Sequence, residues 1–205
     1  MRALIDYIID TLFPPTRETL ELRTISHTDI SRRLPKAHET PLPFIVSLFA
    51  YKNPLVKELI WNCKYHKNRH CLKLGGSALY QWLVEHTSGP IILIPIPISQ
   101  KRRKERGYNQ CELLVDEIVK LDQDHRFEKR YDILTRVKHT DRQTMKTRQD
   151  RLHDTDHIFN AVFIPLNNPI IIVDDVATTG STLHEARRTL IDAGYTDVTA
   201  LTLAH

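Results

Sequence analysis

Residues 170–182, IIIVDDVATTGST, place two adjacent carboxylates at the end of an apolar run and a glycine among hydroxylated residues just after them. Asp174 and Asp175 follow four β-branched residues that are typical of a buried strand. The loop then leads into a predicted helix, whose N-terminus would offer unpaired N–H groups and partial positive charge to a phosphate. Carboxylates repel a phosphate but accept hydrogen bonds from sugar hydroxyls. The pattern therefore predicts a sugar-phosphate site.

The phosphate side of this predicted site is one short loop, comprising Ala177, Thr178, Thr179, Gly180, Ser181 and Thr182. Gly180 lets the backbone approach a ligand closely, and the hydroxyl groups can donate to phosphate oxygens. The alternative is purely structural: an acidic turn before a well-capped helix, since Thr182 and Glu185 have capping-box spacing. A Walker-type loop is excluded, because no glycine–lysine–serine or glycine–lysine–threonine sequence follows at the required spacing.

Helices and apolar strands alternate along the chain, and this alternation predicts the scaffold that positions the site. Strands are expected at 44–51, 91–98, 131–137, 159–166, from 170 and at 197–204. Helices are expected at 3–13, 54–66, 77–86, 107–121 and after the loop. Such alternation is typical of an α/β fold with a mainly parallel sheet flanked by helices. Ligands of such sheets bind beyond the carboxyl ends of the strands, where both acids would lie.

The chain is predicted to have two parts, an N-terminal part at 1–43 and a main domain at 44–205. The N-terminal part combines the helix 3–13 with a polar, proline-dotted extended segment at 14–43. The main domain is interrupted at 138–157 by a strongly charged, flexible loop. A long polar segment inside a compact domain is often a functional lid, with a surface loop that carries no chemistry as the alternative.

Composition and charge narrow the class of protein. The chain has 205 residues, of which 41% are hydrophobic and 26% charged, as is ordinary for a globular protein. No apolar run approaches the roughly 18 residues that cross a bilayer, and no cleavable signal is visible. Cys63, Cys71 and Cys111 form no evident disulfide framework, so we expect a cytoplasmic protein without membrane association. The net charge of +4 slightly favours anionic ligands.

Several segments together resemble a known family. IIIVDDVATTGST resembles the phosphoribosyl pyrophosphate (PRPP) signature of type I phosphoribosyltransferases. Three further segments narrow the resemblance to the ComF family, which includes ComFC and GntX-like proteins: FAYKNPLVKELIWNCKYH at 49–66, ILIPIPISQKRRKERGYNQCELL at 92–114 and RQTMKTRQDRLHDTDHIF at 142–159. The resemblance covers roughly residues 44–205, and the motifs occur in the family's order.

The resemblance implies a function and a role for each part of the site. Asp174 and Asp175 would contact the ribose hydroxyls, and the loop 177–182 would hold the 5′-phosphate. Mg²⁺ would accompany PRPP, and pyrophosphate would be displaced from the anomeric carbon by an acceptor. The family's mobile hood would supply the lid residues, which are Arg136, Gln143, Arg148 and Arg151. A role in DNA uptake, beside a competence helicase and recombination proteins, is also implied.

The sequence departs from the family in places. Many members begin with a zinc ribbon, but no cysteine precedes Cys63, so no structural zinc is expected at 14–43. Asp154 stands where the family usually has asparagine. Thr178 stands where purine-salvage relatives carry an aspartate, so recognition of hypoxanthine or guanine in their manner is not supported. The histidines and cysteines of CKYHKNRHC suit zinc by type, but a buried Cys63 beside exposed histidines is the preferred interpretation.

The basic run at 101–106 can be interpreted in three ways. Arg103 and Arg106 could bind the pyrophosphate of PRPP, because arginine is suited to bidentate phosphate contacts. The run could instead be a solvated helix face, or a thin nucleic-acid patch with Tyr108 as its neighbouring aromatic residue. Two functional alternatives to a transferase therefore stay open: a non-catalytic PRPP or nucleotide sensor, and a single-stranded DNA-binding accessory protein. The acceptor cannot be read from the sequence.

Overall fold

The structure, a computed structural model, describes residues 15–37, 40, 42–137, 158–166 and 168–205. The predicted helix 3–13 and the whole predicted loop 138–157 lie outside these residues. Three of the four predicted lid residues, Gln143, Arg148 and Arg151, therefore lie outside them as well.

The described strands form two sheets. In chain order they are β1 (Ile45–Phe49), β2 (Ile91–Pro95), β3 (Phe127–Lys129), β4 (Leu134–Arg136), β5 (Phe159–Ala161), β6 (Ile170–Val176) and β7 (Val198–Ala204). The main sheet has the order β1-β7-β6-β2-β3, and all of its pairs are parallel. Strands β4 and β5 pair antiparallel as a separate small sheet. The predicted mainly parallel sheet is confirmed.

Five of the described helices lie between strands of the main sheet, and two precede β1. They are α1 (Arg17–Thr24), α2 (Ile30–Arg33), α3 (Pro54–Tyr65), α4 (Arg69–His86), α5 (Gln100–Arg106), α6 (Gln110–Leu121) and α7 (Ser181–Asp192). Asparagine side chains cap three of them, because Asn53, Asn68 and Asn109 each accept hydrogen bonds from amides of the first turn. None of the described helices combines the length and the apolar character that spanning a bilayer requires.

Each face of the main sheet contributes to a different hydrophobic cluster, because successive side chains of a strand point to opposite faces. Ile91 and Leu93 of β2 belong to the cluster that also contains buried residues of α1, α3, α4 and α6. Ile92 and Ile94 belong to the second cluster, together with α7 and the small sheet. The same alternation in β6 assigns its two acidic residues to different faces.

The predicted extended segment 14–43 is wrong in part, because it contains α1 and α2. Leu22, Ile25 and Ile30 of this segment are buried in the first cluster. The hydroxyl of Thr19 donates to Glu58 Oε1 on α3 at 2.6 Å, which helps to hold α1 against α3. Helices α1 and α2 are short, and α1 is polar on average, so the sequence gave little periodic signal for them. Their buried side chains are explained by tertiary contacts. The predicted boundary between 43 and 44 stays a prediction.

The helix predicted at 77–86 begins earlier, at Arg69, and includes a pair of glycines. A Cβ atom on Gly76 would lie 2.4 Å from Cβ of Glu117, and one on Gly75 would lie 2.9 Å from Leu114. These glycines therefore permit close packing of α4 against α6, and they do not mark a helix end.

Other boundaries also differ from the predictions. Helix α5 and strand β3 were not predicted, and the strand predicted at 91–98 ends at Pro95. The strands predicted at 131–137 and 159–166 are each three residues long. These elements are short, so their pairing rather than their local pattern determines where they end.

Candidate sugar-phosphate site

The two acids lie at a switch point of the main sheet. From β2 the chain continues to β3 on one side, whereas from β6 it continues to β7 on the other side. Pro95, the last residue of β2, is paired with Val173, so Asp174 and Asp175 extend just beyond the end of β2. The crevice outside adjacent strands that diverge in this way is where α/β sheets bind ligands.

Asp175 has a partner for each carboxylate oxygen. Nζ of Lys64, at the end of α3, lies 3.1 Å from Oδ1. The side-chain amide of Gln110, at the start of α6, donates to Oδ2 at 2.7 Å. Gln110 is itself fixed, because its carbonyl oxygen accepts a 2.9 Å hydrogen bond from Arg106. Asp175 therefore ends a chain of charge-assisted contacts on the face of the sheet that carries α3 and α6.

Asp174 has different neighbours from those of Asp175. The backbone N–H of Asp175 donates to its Oδ1 at 2.8 Å, and the thiol of Cys111 donates to the same oxygen at 3.4 Å. Burial, and then the charge of Asp175, raise the pKa of Asp174 to about 7. Near neutral pH this carboxyl can both accept and donate a hydrogen bond, depending on its proton.

The same acids stabilise the charged form of Lys64. Its burial favours the neutral amine, but the charge and hydrogen bond of Asp175 outweigh this effect and raise the pKa of Lys64. Lys64 is therefore a charged ammonium at neutral pH. It neutralises one of two adjacent carboxylates in a site from which water is largely excluded.

The loop after β6 is far more open than the acids. Thr178, Thr179 and Ser181 are exposed. Within the part of the chain that the structure describes, the backbone amides of Thr178, Thr179 and Gly180 have no hydrogen-bond partner. Amides without an internal partner beside a helix N-terminus are suited to an anion. The assignment of this loop to a phosphate stays a prediction.

Two details of the loop differ from the sequence-based picture. The amide of Ala177 donates to the carbonyl of Ala204 at 2.9 Å, so this amide is already bonded within the protein. Helix α7 begins after Gly180 without a side-chain cap, so the predicted capping box of Thr182 and Glu185 is wrong. The amide of Ser181, the first residue of the helix, instead donates to Oγ1 of Thr179 at 3.4 Å.

The fold itself requires glycine at position 180, independently of any ligand. Its φ is +75°, and an added Cβ atom would lie 2.5 Å from a methyl carbon of Leu42 and 3.0 Å from one of Ile45. The glycine was predicted to allow close approach of a ligand. The structure adds that the loop backbone packs directly on Leu42.

The predicted pyrophosphate arginines are held by side chains near the acids. Arg103 forms an ion pair with Glu112. The guanidinium of Arg106 bonds Gln110 and stacks over the ring of Tyr65, with 4.9 Å between Cζ and the ring centroid. Both arginines lie on or at the end of α5, directly after the end of β2. Their role in binding pyrophosphate stays a prediction.

An exposed aromatic pair lies beside Lys64. Trp61 and Tyr65 on α3 are about half exposed, and their ring centroids are 4.3 Å apart. Both line a cleft of about 530 Å³ that also includes Lys57 and Lys64. In the sequence, Tyr108 is the aromatic residue next to the basic run. The fold adds Tyr65 and Trp61, because it brings the end of α3 against α5.

Arg136 is the one predicted lid residue that the structure describes. Its guanidinium lies over the ring of Phe159 at 5.3 Å and contacts the carbonyl of Pro97 at 3.5 Å. Burial and the nearby charge of Arg102 lower the pKa of Arg136, while the charge of Asp174 opposes that shift. Arg136 therefore lies on the same side of the sheet as Asp174, at the root of the predicted lid.

The side chains around the acid pair do not provide the ligands that Mg²⁺ requires. The group of donor atoms that lies close together among the described residues comprises Cys111, Asp174 and Asp175. Mg²⁺ requires a near-octahedral set of oxygen ligands. Here one donor is a thiol whose pKa burial raises, and both oxygens of Asp175 already have partners. This set does not fit Mg²⁺ bound by side chains alone, so an ion that accompanies PRPP would be held by oxygens of the ligand.

Among the residues considered for zinc, the two cysteines are buried, whereas His66 is exposed. Cys63 and Cys71 are buried free thiols, and burial raises the pKa of each. Nε2 of His70 lies 2.8 Å from the carbonyl oxygen of Leu22, on the docked helix α1. These contacts give both cysteines and His70 a structural role.

Comparison with known proteins identifies the family. A model of the phosphoribosyl transferase domain matches residues 112–205. Competence protein ComFC of Bacillus subtilis is 35% identical over 154 residues, which cover 72% of this chain and 58% of that protein. The chain belongs to the ComF family. Competence protein F of Haemophilus influenzae is 29% identical over 174 residues, which cover 80% of this chain and 68% of that protein.

A third relative of this ComF-family chain is DNA utilization protein YhgH of Escherichia coli, 29% identical over 182 residues, with 83% of this chain and 75% of that protein covered. The chain is thus a ComF-family protein with a type I phosphoribosyltransferase-like domain. It spans 58% of the length of its Bacillus subtilis relative.

Among solved structures, a hypoxanthine phosphoribosyltransferase from Staphylococcus aureus is 12% identical to this chain, with a TM-score of 0.36. The matched region covers 72% of this chain and 63% of the Staphylococcus aureus chain. A TM-score of that size is too low to support an inference. The family assignment depends on the sequence relatives and the matched domain.

Sequence reasoning missed two residues of the site. Lys64 and Gln110 both contact Asp175, yet neither was predicted to contact an acid of the site. Both lie within the segments that carried the family resemblance, which was the available signal. Their partner is distant in the chain, so no local pattern could link them to it.

Proposed function

We propose that this ComF-family protein binds PRPP at the switch point between β2 and β6, with phosphoribosyl transfer and release of pyrophosphate as its reaction. The observation that carries this proposal is the adjacency, at one strand end, of two buried acids and three loop amides that have no hydrogen-bond partner within the described residues. The amides of Thr178, Thr179 and Gly180 would receive the 5′-phosphate, and the acids would accept hydrogen bonds from the ribose hydroxyls.

The partners of the acids constrain this proposal. Asp175 already receives donors from Lys64 and Gln110, but a carboxylate oxygen can accept a second hydrogen bond through its other lone pair. The two partners therefore do not use up the hydrogen-bonding capacity of Asp175. Transfer would proceed by positioning and electrostatic stabilisation of positive charge at the anomeric carbon, with Asp174 and Asp175 on the sugar side.

Calorimetric titration of PRPP with Mg²⁺ tests the binding. We expect saturable heat for the wild type and at least a tenfold loss of affinity for the double variant Asp174→Asn/Asp175→Asn, because each charged hydrogen bond contributes about 1.5–3 kcal/mol. Asp192→Asn, at the far end of α7, is the matched control. No heat for the wild type would contradict the proposal.

Pyrophosphate release distinguishes a transferase from a PRPP sensor. Nucleobases and other nitrogen nucleophiles would be screened with PRPP, and released pyrophosphate measured. Release with one acceptor would establish transfer. Binding of PRPP without release of pyrophosphate for any acceptor in the screen would favour the non-catalytic sensor and leave the proposed binding site intact.

A role in DNA uptake, beside a helicase and recombination proteins, is part of the same proposal. It is supported by the competence names of the relatives.

One observation favours a second candidate function, single-stranded nucleic-acid binding. Trp61 and Tyr65 expose aromatic surface next to Arg106 and lysines of the 530 Å³ cleft. Aromatic rings on which bases stack, flanked by cations, are typical of single-strand binders.

Fluorescence anisotropy with a labelled oligothymidylate tests this candidate function. Trp61→Ala should weaken binding about tenfold. The control Trp82→Ala, which removes a tryptophan stacked on His86, should leave binding unchanged. Equal binding by both variants would dismiss this surface.

A further inference from the structure

Lys64 has the geometry of a built-in counter-ion for the sugar site. It lies in the last turn of α3, where the helix dipole favours a cation. Its ammonium is 3.1 Å from Oδ1 of Asp175, and the exposed fractions of the two side chains are 22% and 4%. A contact so little exposed to solvent is weakly screened. Asp175 therefore carries a permanent cation in the protein itself.

The opposite oxygen of Asp175 is fixed by a neutral donor. Gln110 donates to Oδ2, and Arg106 determines which way the Gln110 amide faces by donating to its carbonyl oxygen. Asp175 is thus held from two sides, by an ammonium from α3 and an amide from α6. A divalent cation at this carboxylate would have to displace Lys64, because like charges repel at close range.

We propose that Lys64 is the cation that neutralises Asp175 while a sugar phosphate is bound, and that it takes the place of a metal ion at that carboxylate. This inference rests on the proposed function. A ligand with a 5′-phosphate would meet two adjacent negative charges at the end of β6. Lys64 removes one of them and leaves the outer lone pairs of Asp175 for a ribose hydroxyl. Lys64 is a positioning residue in this arrangement, because it acts on the sugar through Asp175.

Ribose 5-phosphate is the probe that tests this role, because it has the hydroxyls and the phosphate of PRPP but no pyrophosphate to chelate Mg²⁺. Titrations would be performed in EDTA and again with Mg²⁺. We expect the wild type to bind equally in both buffers. Lys64→Met should lose at least about tenfold in affinity, since one partner of a buried charge pair is removed. Lys73→Met, an exposed lysine on α4 outside the cleft that Lys64 lines, should bind like the wild type.

A cycle of variants separates this role from a contribution to folding or a direct contact with the ligand. Asp175→Asn and Lys64→Met/Asp175→Asn both lack the charge that Lys64 neutralises. If Lys64 acts through Asp175, these two variants bind ribose 5-phosphate equally, even where Lys64→Met alone fails to fold. A further tenfold loss in the double variant, about 1.4 kcal/mol, would overturn the inference, because it would show a contact between Lys64 and the ligand.

The remaining outcomes are also decisive. Wild-type binding that requires Mg²⁺, or unaltered binding by Lys64→Met, would overturn the inference while the proposed sugar-phosphate site stands. If the wild type bound neither ribose 5-phosphate nor PRPP in either buffer, the proposed function would fail and the inference with it.

Discussion

The acid tip of β6 and the loop that follows it are neighbours in the chain but opposite in character. Asp175 is buried, with both oxygens bonded by side chains from two helices. Thr178 and Thr179 are exposed, and their amides are unbonded within the described residues. The acid tip is thus preorganised by partners within the protein, whereas the loop keeps backbone amides that are available as hydrogen-bond donors. This difference suits the proposed ligand, whose ribose hydroxyls would meet the fixed acids and whose phosphate would meet the open loop.

Removing the counter-ion should produce the largest effect on the acid tip. Lys64→Met leaves the buried carboxylate of Asp175 without its cation, so we expect a loss of about 3–5 kcal/mol in the free energy of unfolding. Adding Asp175→Asn should restore most of it, because the uncompensated charge disappears. Urea denaturation measures both, and the exposed Lys57→Met should change stability by less than about 0.5 kcal/mol. A stable Lys64→Met protein would show that the ion pair is unimportant to the fold.

The pH dependence of stability tests the other acid of the tip. The native Asp174 has its pKa raised to about 7, so between its ordinary value near 4 and about 7 the native state binds more protons than the unfolded state. The free energy of unfolding should therefore fall as pH rises through this window, by an amount on the order of a few kcal/mol. Asp174→Asn should reduce this slope in denaturation series from pH 4.5 to 7.5. An unchanged slope would mean that Asp174 ionises normally.

The loop can be tested through its glycine. Gly180→Ala forces a Cβ atom toward Leu42 in addition to the strain of a positive φ, whereas Gly89→Ala has the same φ of +75° and open space around it. We expect Gly180→Ala to cost about 1–3 kcal/mol more than Gly89→Ala, since overpacking is added to backbone strain. Thermal denaturation of both measures the difference, and Leu42→Ala should shrink it. Equal losses would indicate that the loop moves aside.

The smallest predicted effect concerns a single hydroxyl of the loop. Thr179→Val removes one donor from the proposed phosphate site without touching the acid tip, so affinity for ribose 5-phosphate should fall about fivefold, or about 1 kcal/mol. Titration calorimetry measures it, with the exposed Thr199→Val on β7 as control. If Thr179→Val bound as the wild type does, the hydroxyl would play no part and the backbone amides alone would remain as donors.

Much of the scaffold was predictable from the sequence. Four β-branched residues before Asp174 specify a buried strand, and the apolar stripe that includes Leu183, Ala186 and Leu190 specifies the helix after the loop. Asn53 before Pro54 specifies the start of α3, because both residues act locally at a helix N-terminus. The mainly parallel sheet follows from the alternation of such elements. Signals of this kind depend on neighbours within a turn or a strand.

The partners of the acids were decided by tertiary structure alone. Lys64 reaches Asp175 only because β6 lies in the middle of the sheet and α3 ends above one of its faces. The helix predicted from residue 77 begins at Arg69, and the approach of α6 explains why Gly75 and Gly76 lie inside it. Local chemistry determines which segments become strands, helices and turns, whereas the order of strands in a sheet is a long-range property. For this reason the sequence located the acids and the loop, and the fold determined that one acid has a lysine as its counter-ion while the loop amides stay open.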